Sequence, residues 1–142
     1  MKCFDKDYSK IYDFLYTNKD YTKETNLIKI ILKKYLPNSK SLLDLGCGTG
    51  LYSNLITKLN FNVVGVDRSS NMLSIAKRKY KKNKKLSFIK SSIEKIKLNK
   101  KFDIISALFH ILSYQRSESE IDKFFSKSYL HLNKNGILIF DF

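Results

Sequence analysis

Proline, tryptophan and cysteine are nearly absent from this sequence. Its 142 residues include one proline, no tryptophan, two cysteines and five glycines, which excludes a collagen-like or low-complexity chain. Cys3 and Cys47 are too few for a disulfide framework and lack metal-ligand spacing. The apolar runs are too short to span a bilayer, and the first ten residues lack the apolar core of a secretion signal. We therefore expect one folded domain in the reducing cytoplasm, with no metal and no membrane partner.

Arginine is also scarce, although the chain is strongly basic. The formal net charge is +14, nearly all of it from lysine, and arginine occurs only at positions 68, 78 and 116. Proteins that read nucleic acids favour arginine, because its planar guanidinium pairs with two acceptors at once. The densest basic run, residues 77–85, fits a solvated helix end near the negative pole of the helix dipole. A patch for RNA or an acidic partner is the less favoured interpretation.

Apolar residues alternate between helical and strand spacing along the chain. Helical spacing predicts helices over residues 8–18, 22–36, 51–59, 70–80 and 118–132, the last with Ile121, Phe124, Phe125, Tyr129 and Leu132 facing inward. Apolar and β-branched runs predict strands over residues 41–45, 61–67, 86–89, 102–108 and 137–142, with Asn135 and Gly136 turning the chain into the last one. This alternation predicts an α/β protein with a Rossmann-like, doubly wound and mainly parallel sheet.

A glycine-rich turn follows the first sheet strand. Residues 42–50 read Leu-Leu-Asp-Leu-Gly-Cys-Gly-Thr-Gly, and the glycines allow a sharp turn and close approach of a ligand to the backbone. Asp67 ends the next strand, where a carboxylate can accept hydrogen bonds from ribose hydroxyls. Asp44 precedes the first glycine by two residues, and its charge would repel the pyrophosphate of a dinucleotide. The two carboxylates favour a cationic nucleoside, S-adenosylmethionine; the alternative is that each only caps a turn or a helix.

Four segments resemble, in order, the motifs of class I S-adenosylmethionine-dependent methyltransferases. They are residues 43–50, 65–73 (GVDRSSNML), 102–107 (FDIISA) and 132–138 (LNKNGIL), and the resemblance extends over residues 41–142. An ordered set of four motifs is much more specific than a glycine turn alone. The resemblance implies methyl transfer with S-adenosylmethionine as the cofactor.

The resemblance also implies roles for individual side chains. Asp44, Gly46 and Gly48 would hold the methionine end of the cofactor, and Asp67 the ribose. Ser92 stands where relatives often carry an aspartate that accepts from the adenine amino group, so a weaker bond is expected there. The full set of implied cofactor contacts is Tyr12, Asp44, Gly46, Cys47, Gly48, Gly50, Asp67, Arg68, Met72, Ser92, Ile93 and Leu108.

The methyl acceptor is expected to be a small polar molecule. Residues 107–114 read ALFHILSY and lack the Pro-Pro-Tyr sequence of enzymes that methylate base amines or glutamine amides. The N-terminal run is similar to the opening helix of enzymes that N,N-dimethylate nucleotide-linked amino sugars. In that group a tyrosine at the place of Tyr12 covers the cofactor, and a Tyr or His after the fourth strand faces the amine. His110 and Tyr114 are therefore the catalytic candidates, although Tyr12 could be a core aromatic and His110 could be bonded only to backbone.

Two other functions are also consistent with the sequence. They are an RNA or protein methyltransferase that uses the lysine surface, and an inactive cofactor-binding module.

The chain is expected to form one structural unit with two parts. Residues 1–40 are expected to form a helical cap and residues 41–142 the cofactor-binding domain. Because class I sheets usually have seven strands, we expect a truncated gene product, or a second copy or partner chain that covers the apolar edge strand.

Overall fold

The computed structural model describes residues 21–142. The helix predicted over residues 8–18, and with it Tyr12, lies outside the described residues. The helices are α1 (Tyr21–Tyr35), α2 (Leu51–Thr57), α3 (Ser70–Lys79) and α4 (Glu118–His131). The strands are β1 (Ser41–Leu45), β2 (Asn62–Asp67), β3 (Leu86–Lys90), β4 (Phe102–Ala107) and β5 (Leu132–Phe140), with short 3-10 turns at Ile93–Lys95 and Leu112–Tyr114.

The five strands form one sheet in the order β3-β2-β1-β4-β5, and every neighbouring pair is parallel. This confirms the predicted Rossmann-like α/β fold. The chain builds outward from β1 first through β2 and β3, and then on the other side through β4 and β5. The carboxyl end of β1 is therefore the point where the direction of strand addition reverses, which is where open α/β sheets bind ligands.

Helices cover both faces of the sheet, so both faces of β1 are buried. On one face, Leu42 joins a core cluster with Ile28 of α1 and Ile56 of α2. On the other, Leu43 joins a cluster with Phe124 of α4. Strand β1 consequently has no exposed face, which explains its nearly continuous apolar sequence. Side chains alternate along a strand, so Asp44 projects to the same face as Leu42, toward α2.

The predicted inward face of α4 is partly wrong. Phe124 is fully buried, but Phe125 and Tyr129 are 41% and 79% exposed. The buried residues of α4 are Phe124, Ser128 and His131, which form a narrow stripe that includes two polar side chains. Because α4 lies over the edge of the sheet, it contacts the core along this stripe alone. Apolar periodicity therefore predicts a wider buried face than the helix has.

The predicted start of the fifth strand is also wrong. Strand β5 begins at Leu132, directly after α4, and Asn135 and Gly136 lie inside the strand. Asn135 has a positive φ of 65°, and the pairing with β4 shifts register between Phe102 and Ile104. The Asn-Gly pair therefore forms an irregularity within the strand, because left-handed backbone interrupts pairing without ending it. The position of β5 at the edge of the sheet agrees with the expectation.

Candidate functional site

The three glycines of the turn after β1 differ in the space that a side chain would find there. All three have positive φ, at 76° for Gly46, 54° for Gly48 and 78° for Gly50. A Cβ on Gly46 would lie 2.1 Å from Cδ1 of Ile111, and one on Gly50 would lie 2.6 Å from Cζ of Phe88. A Cβ on Gly48 would meet no atom within 4 Å. Two glycines therefore allow close packing inside the protein, and Gly48 faces open space at the carboxyl edge of the sheet.

Asp44 is a buried carboxylate held by two hydroxyl groups. It is 3% exposed; its Oδ2 accepts from Oγ of Ser53 on α2 at 2.5 Å, and its Oδ1 accepts from Oγ of Ser106 on β4 at 3.1 Å. Ser106 is the direct neighbour of Asp44 across the β1–β4 pair. Burial raises the pKa of Asp44 to about 7, against the lowering effect of the two hydroxyl groups. A nearby cation would favour its ionised form.

Asp67 ends β2 and binds the glycine turn. Its Oδ2 accepts from the backbone N–H of Gly48 at 2.9 Å, and its Oδ1 accepts from that of Ser69 at 2.8 Å. Burial raises its pKa, although these N–H groups oppose the shift. Helix α3 is capped by Ser69, whose Oγ accepts from the N–H of Met72. Asp67 is thus not the cap of that helix, and each of its oxygens retains acceptor capacity for a ligand.

Ser92 follows β3 at the same edge of the sheet. Its Oγ is buried and has no hydrogen-bond partner within the described part of the chain. An unpartnered buried hydroxyl is unfavourable unless another group occupies the site. This atom therefore fits the predicted adenine contact. The neighbouring Ile93 begins a 3-10 turn and packs against the core cluster that contains Leu43.

The remaining predicted cofactor contacts divide between core and surface. Cys47, Met72 and Leu108 are buried, and Leu108 belongs to the core cluster beside α1 and α2. Cys47 is a free thiol, and its Sγ would lie 2.8 Å from a Cβ placed on Gly65, so it fills the turn as a small residue. Arg68 is exposed. Burial raises the pKa of Cys47, which keeps the thiol neutral.

Both predicted catalytic residues lie on the loop after β4. Phe109 and His110 have positive φ values of 69° and 64°, which is unusual for two consecutive residues with side chains. The carboxylate of Asp141 accepts both of their backbone N–H groups. The His110 side chain is exposed, and Tyr114 is 47% exposed. The loop lies against the glycine turn through Ile111, next to Gly46.

Sequence reasoning missed three residues of this site, namely Ser53, Ser106 and Asp141. Ser106 carried a signal, since it is a polar residue within an otherwise apolar strand. No local sequence pattern marks Ser53 or Asp141, and the partners of both lie on other elements. The three residues supply the hydrogen bonds that fix Asp44 and the loop after β4.

The site has the chemical features that S-adenosylmethionine requires. It combines an open approach at Gly48, two carboxylates at neighbouring strand ends and the unpartnered Ser92 hydroxyl. Among residues 21–142, no group of three or more His, Cys, Asp or Glu side chains could hold a metal ion. Within the same residues, no helix has the length and apolarity that crossing a membrane requires.

This fold and this site define a nucleoside-binding α/β protein of the methyltransferase type. The chain belongs to the methyltransferase domain family, whose model matches residues 42–136. The match confirms the predicted family. Together with the solved structure of an S-adenosylmethionine-dependent methyltransferase that is 29% identical, it also confirms S-adenosylmethionine as the cofactor.

Relatives of known name agree with this assignment. Over 106 residues, 74% of this chain and 42% of the relative, the chain is 42% identical to the ubiquinone biosynthesis O-methyltransferase of Pelagibacter ubique. It is 25% identical to the dTDP-3-amino-3,4,6-trideoxy-alpha-D-glucopyranose N,N-dimethyltransferase of Streptomyces venezuelae, over 96% of this chain and 57% of that protein. The solved structure of an S-adenosylmethionine-dependent methyltransferase from Clostridium acetobutylicum is 29% identical, with a TM-score of 0.81 over 94% of this chain and 55% of that one. The chain thus spans about half the length of these relatives.

Proposed function

We propose that the chain is the cofactor-binding part of a methyltransferase that acts on a small polar molecule, such as a nucleotide-linked amino sugar. The observation that carries the proposal is the opening at Gly48, where a Cβ would meet no atom within 4 Å. That opening lies between strand ends that carry Asp44 and Asp67. A cationic nucleoside suits it, because its charge offsets two partly desolvated carboxylates that otherwise repel each other.

Each residue of the site has a defined task in this proposal. Asp44 accepts from the ammonium group at the methionine end, and the backbone at Gly48 lies against the ligand. Asp67 accepts from the ribose hydroxyls while its bonds to Gly48 and Ser69 hold it in place. Ser92 accepts from the adenine amino group through its otherwise unpartnered Oγ. S-adenosylmethionine, when bound, supplies a methyl group already activated on a sulfonium, so the protein has mainly to position donor and acceptor.

The loop after β4 supports a small amine or hydroxyl acceptor. His110 and Tyr114 are both exposed on this loop, and Ile111 seats the loop beside the glycine turn. A side chain there could remove a proton from an acceptor. The similarity to an amino-sugar N,N-dimethyltransferase over 138 residues favours an amine on a sugar.

The position of the basic run argues against RNA as the methyl acceptor. Residues 77–85 include the end of α3 and the loop that enters β3, so they lie at the amino edge of the sheet. The proposed cofactor site lies at the carboxyl edge, one strand length away, which is about 20 Å for six residues. An RNA bound to these lysines would have to extend across the sheet to reach the methyl group, so the basic run does not itself line the proposed cofactor site.

Calorimetric titration of the chain with S-adenosylmethionine, and separately with NAD, tests the cofactor. Asp67→Ala should weaken S-adenosylmethionine binding at least tenfold, roughly the effect of losing hydrogen bonds to a charged group. The matched control is Asp122→Ala, which removes an exposed carboxylate from α4 and should leave the affinity unchanged. Comparable affinity for NAD would overturn the proposal.

Methyl transfer to a panel of amino-sugar nucleotides then tests the acceptor. Transfer that depends on His110 or Tyr114 supports the acceptor class. Tight cofactor binding without transfer to any acceptor favours the inactive module instead, and binding of RNA that weakens with added salt favours the nucleic-acid alternative.

We also propose that a second copy or a partner chain covers the free edge of β5. An apolar groove of about 440 Å³ lies between α1 and this strand, lined by Ile31, Tyr35, Ile137, Leu138, Ile139 and Phe140. Sedimentation of the chain at increasing concentration should show association where a second copy covers this edge, and a monomer at every concentration would exclude the second copy. The location in the cytoplasm stays a prediction.

A further inference from the structure

The buried cluster around Asp44 links three elements of the fold. Asp44 lies on β1, Ser53 on α2 and Ser106 on β4, and the two serines are 0% exposed. Each hydroxyl donates to a different oxygen of the carboxylate. Two donors from two directions fix the rotation of the carboxylate plane, which a single donor would leave free.

No other described group provides this support. The charged group that acts on Asp44 is Asp67, whose proximity disfavours its ionised form. The titratable side chains that adjoin the cluster are Cys47 and Tyr52, and burial raises the pKa of both, so both stay neutral. Glu24 on α1 acts on Tyr52 in the same direction. The two serine hydroxyls are thus the groups that oppose protonation of Asp44.

We propose that Ser53 and Ser106 are positioning residues that orient the Asp44 carboxylate and favour its charged form for the cationic methionine end of the cofactor. The proposal rests on the proposed cofactor site. Removing either hydroxyl leaves one carboxylate oxygen without its donor inside the protein, so the neutral acid becomes more favourable. A neutral Asp44 is a weaker partner for an ammonium group, and cofactor binding must then release a proton.

The chain offers a matched control for both serines. Ser128 on α4 is 1% exposed, and its Oγ has no hydrogen-bond partner among residues 21–142. Ser128→Ala therefore removes a buried hydroxyl of the same size that has no contact with Asp44.

The test is the affinity for S-adenosylmethionine, measured by calorimetry on the full 142-residue chain across a pH range centred on 7. For the wild-type protein, affinity should rise with pH through about 7, as Asp44 ionises. Ser53→Ala and Ser106→Ala should move this rise to higher pH and lower the affinity at pH 7 about tenfold, since hydrogen bonds to charged groups are worth about one pKa unit or more. Ser128→Ala should match the wild type.

Unfolding by urea gives a readout that needs no cofactor. The loss of stability caused by Ser53→Ala or Ser106→Ala should be larger at pH 8 than at pH 5, since only the ionised Asp44 needs the donors. Equal losses at both pH values, or an unmoved pH dependence of affinity, would show that the serines only pack the core and would overturn the proposal. Failure of the wild-type chain to bind S-adenosylmethionine would instead overturn the proposed function.

Discussion

The carboxylate of Asp141, one residue beyond β5, accepts the backbone N–H of His110 at 2.6 Å. Its second oxygen accepts the N–H of Phe109 at 2.9 Å. The backbone of both residues has the left-handed conformation, which costs about 1–2 kcal/mol for each residue with a Cβ. The strained start of the loop after β4 is therefore held by an acidic side chain from the neighbouring strand. This arrangement fixes the direction in which the loop leaves the sheet and so the position of both candidate catalytic residues.

Replacing Asp141 should release this loop. We expect Asp141→Ala to lower the free energy of unfolding by about 1–3 kcal/mol, because two backbone N–H groups lose a charged acceptor. Hydrogen exchange at Phe109 and His110 should become faster, while exchange in β1 and β2 should change little. Adding His110→Gly should restore part of the stability, because glycine adopts the left-handed conformation without a Cβ.

Asp44 should make stability depend on pH in a specific direction. Its folded-state pKa of about 7 lies above its unfolded value of 3.8, so the folded state binds more protons between these values. Stability therefore falls as pH rises from about 4 to about 7, by on the order of 4 kcal/mol from this group. Asp44→Asn should abolish this contribution and be more stable than the wild type at pH 8, while binding S-adenosylmethionine at least about tenfold more weakly. Urea unfolding across this pH range measures the pH dependence of stability, with Asp122→Asn as the exposed control. An Asp44→Asn variant that is less stable than the wild type at pH 8 would contradict the raised pKa of Asp44.

Local patterns predicted the elements, whereas contacts between distant segments decided the details of the site. Strand β1 was predicted at its observed bounds, and α3 was predicted over residues 70–80 and lies at Ser70–Lys79. These features depend on neighbouring residues, so the sequence shows them directly. The support of Asp44 by Ser106 depends instead on register across the sheet, at a separation of 62 residues. No periodicity reveals such a contact.

The errors at the C-terminal end have the same origin. Asn135 and Gly136 have the composition of a turn, yet pairing with β4 keeps them inside β5. The apolar face predicted for α4 is exposed at Tyr129 because nothing described here covers the helix beyond the edge strand. Propensity and periodicity describe what a segment could bury, and the tertiary neighbours decide what it does bury.

Replacing Ser92 with alanine should have opposite effects on protein stability and on S-adenosylmethionine binding. Ser92→Ala removes a buried hydroxyl that lacks a partner among the described residues, so the free protein should gain up to about 1 kcal/mol of stability. Affinity for S-adenosylmethionine should fall severalfold if the hydroxyl accepts from the adenine amino group. Ser128→Ala, which removes a similarly unpartnered hydroxyl, should give the gain in stability without the loss of affinity. Unchanged affinity of Ser92→Ala would remove Ser92 from the site.

Two glycines of the turn, Gly48 and Gly50, should separate effects on binding from effects on folding. Gly48→Ala places a Cβ in open space, so it should cost only the left-handed backbone, about 1–2 kcal/mol, while the new methyl group enters the cofactor's approach and lowers affinity at least about tenfold. Gly50→Ala places a Cβ 2.6 Å from the Phe88 ring, which adds overpacking of about 1–3 kcal/mol to the backbone cost. Thermal unfolding and calorimetric titration of both variants make the comparison. A Gly48→Ala variant with normal affinity would show that the ligand does not approach this face of the turn, because only an added Cβ distinguishes the two chains.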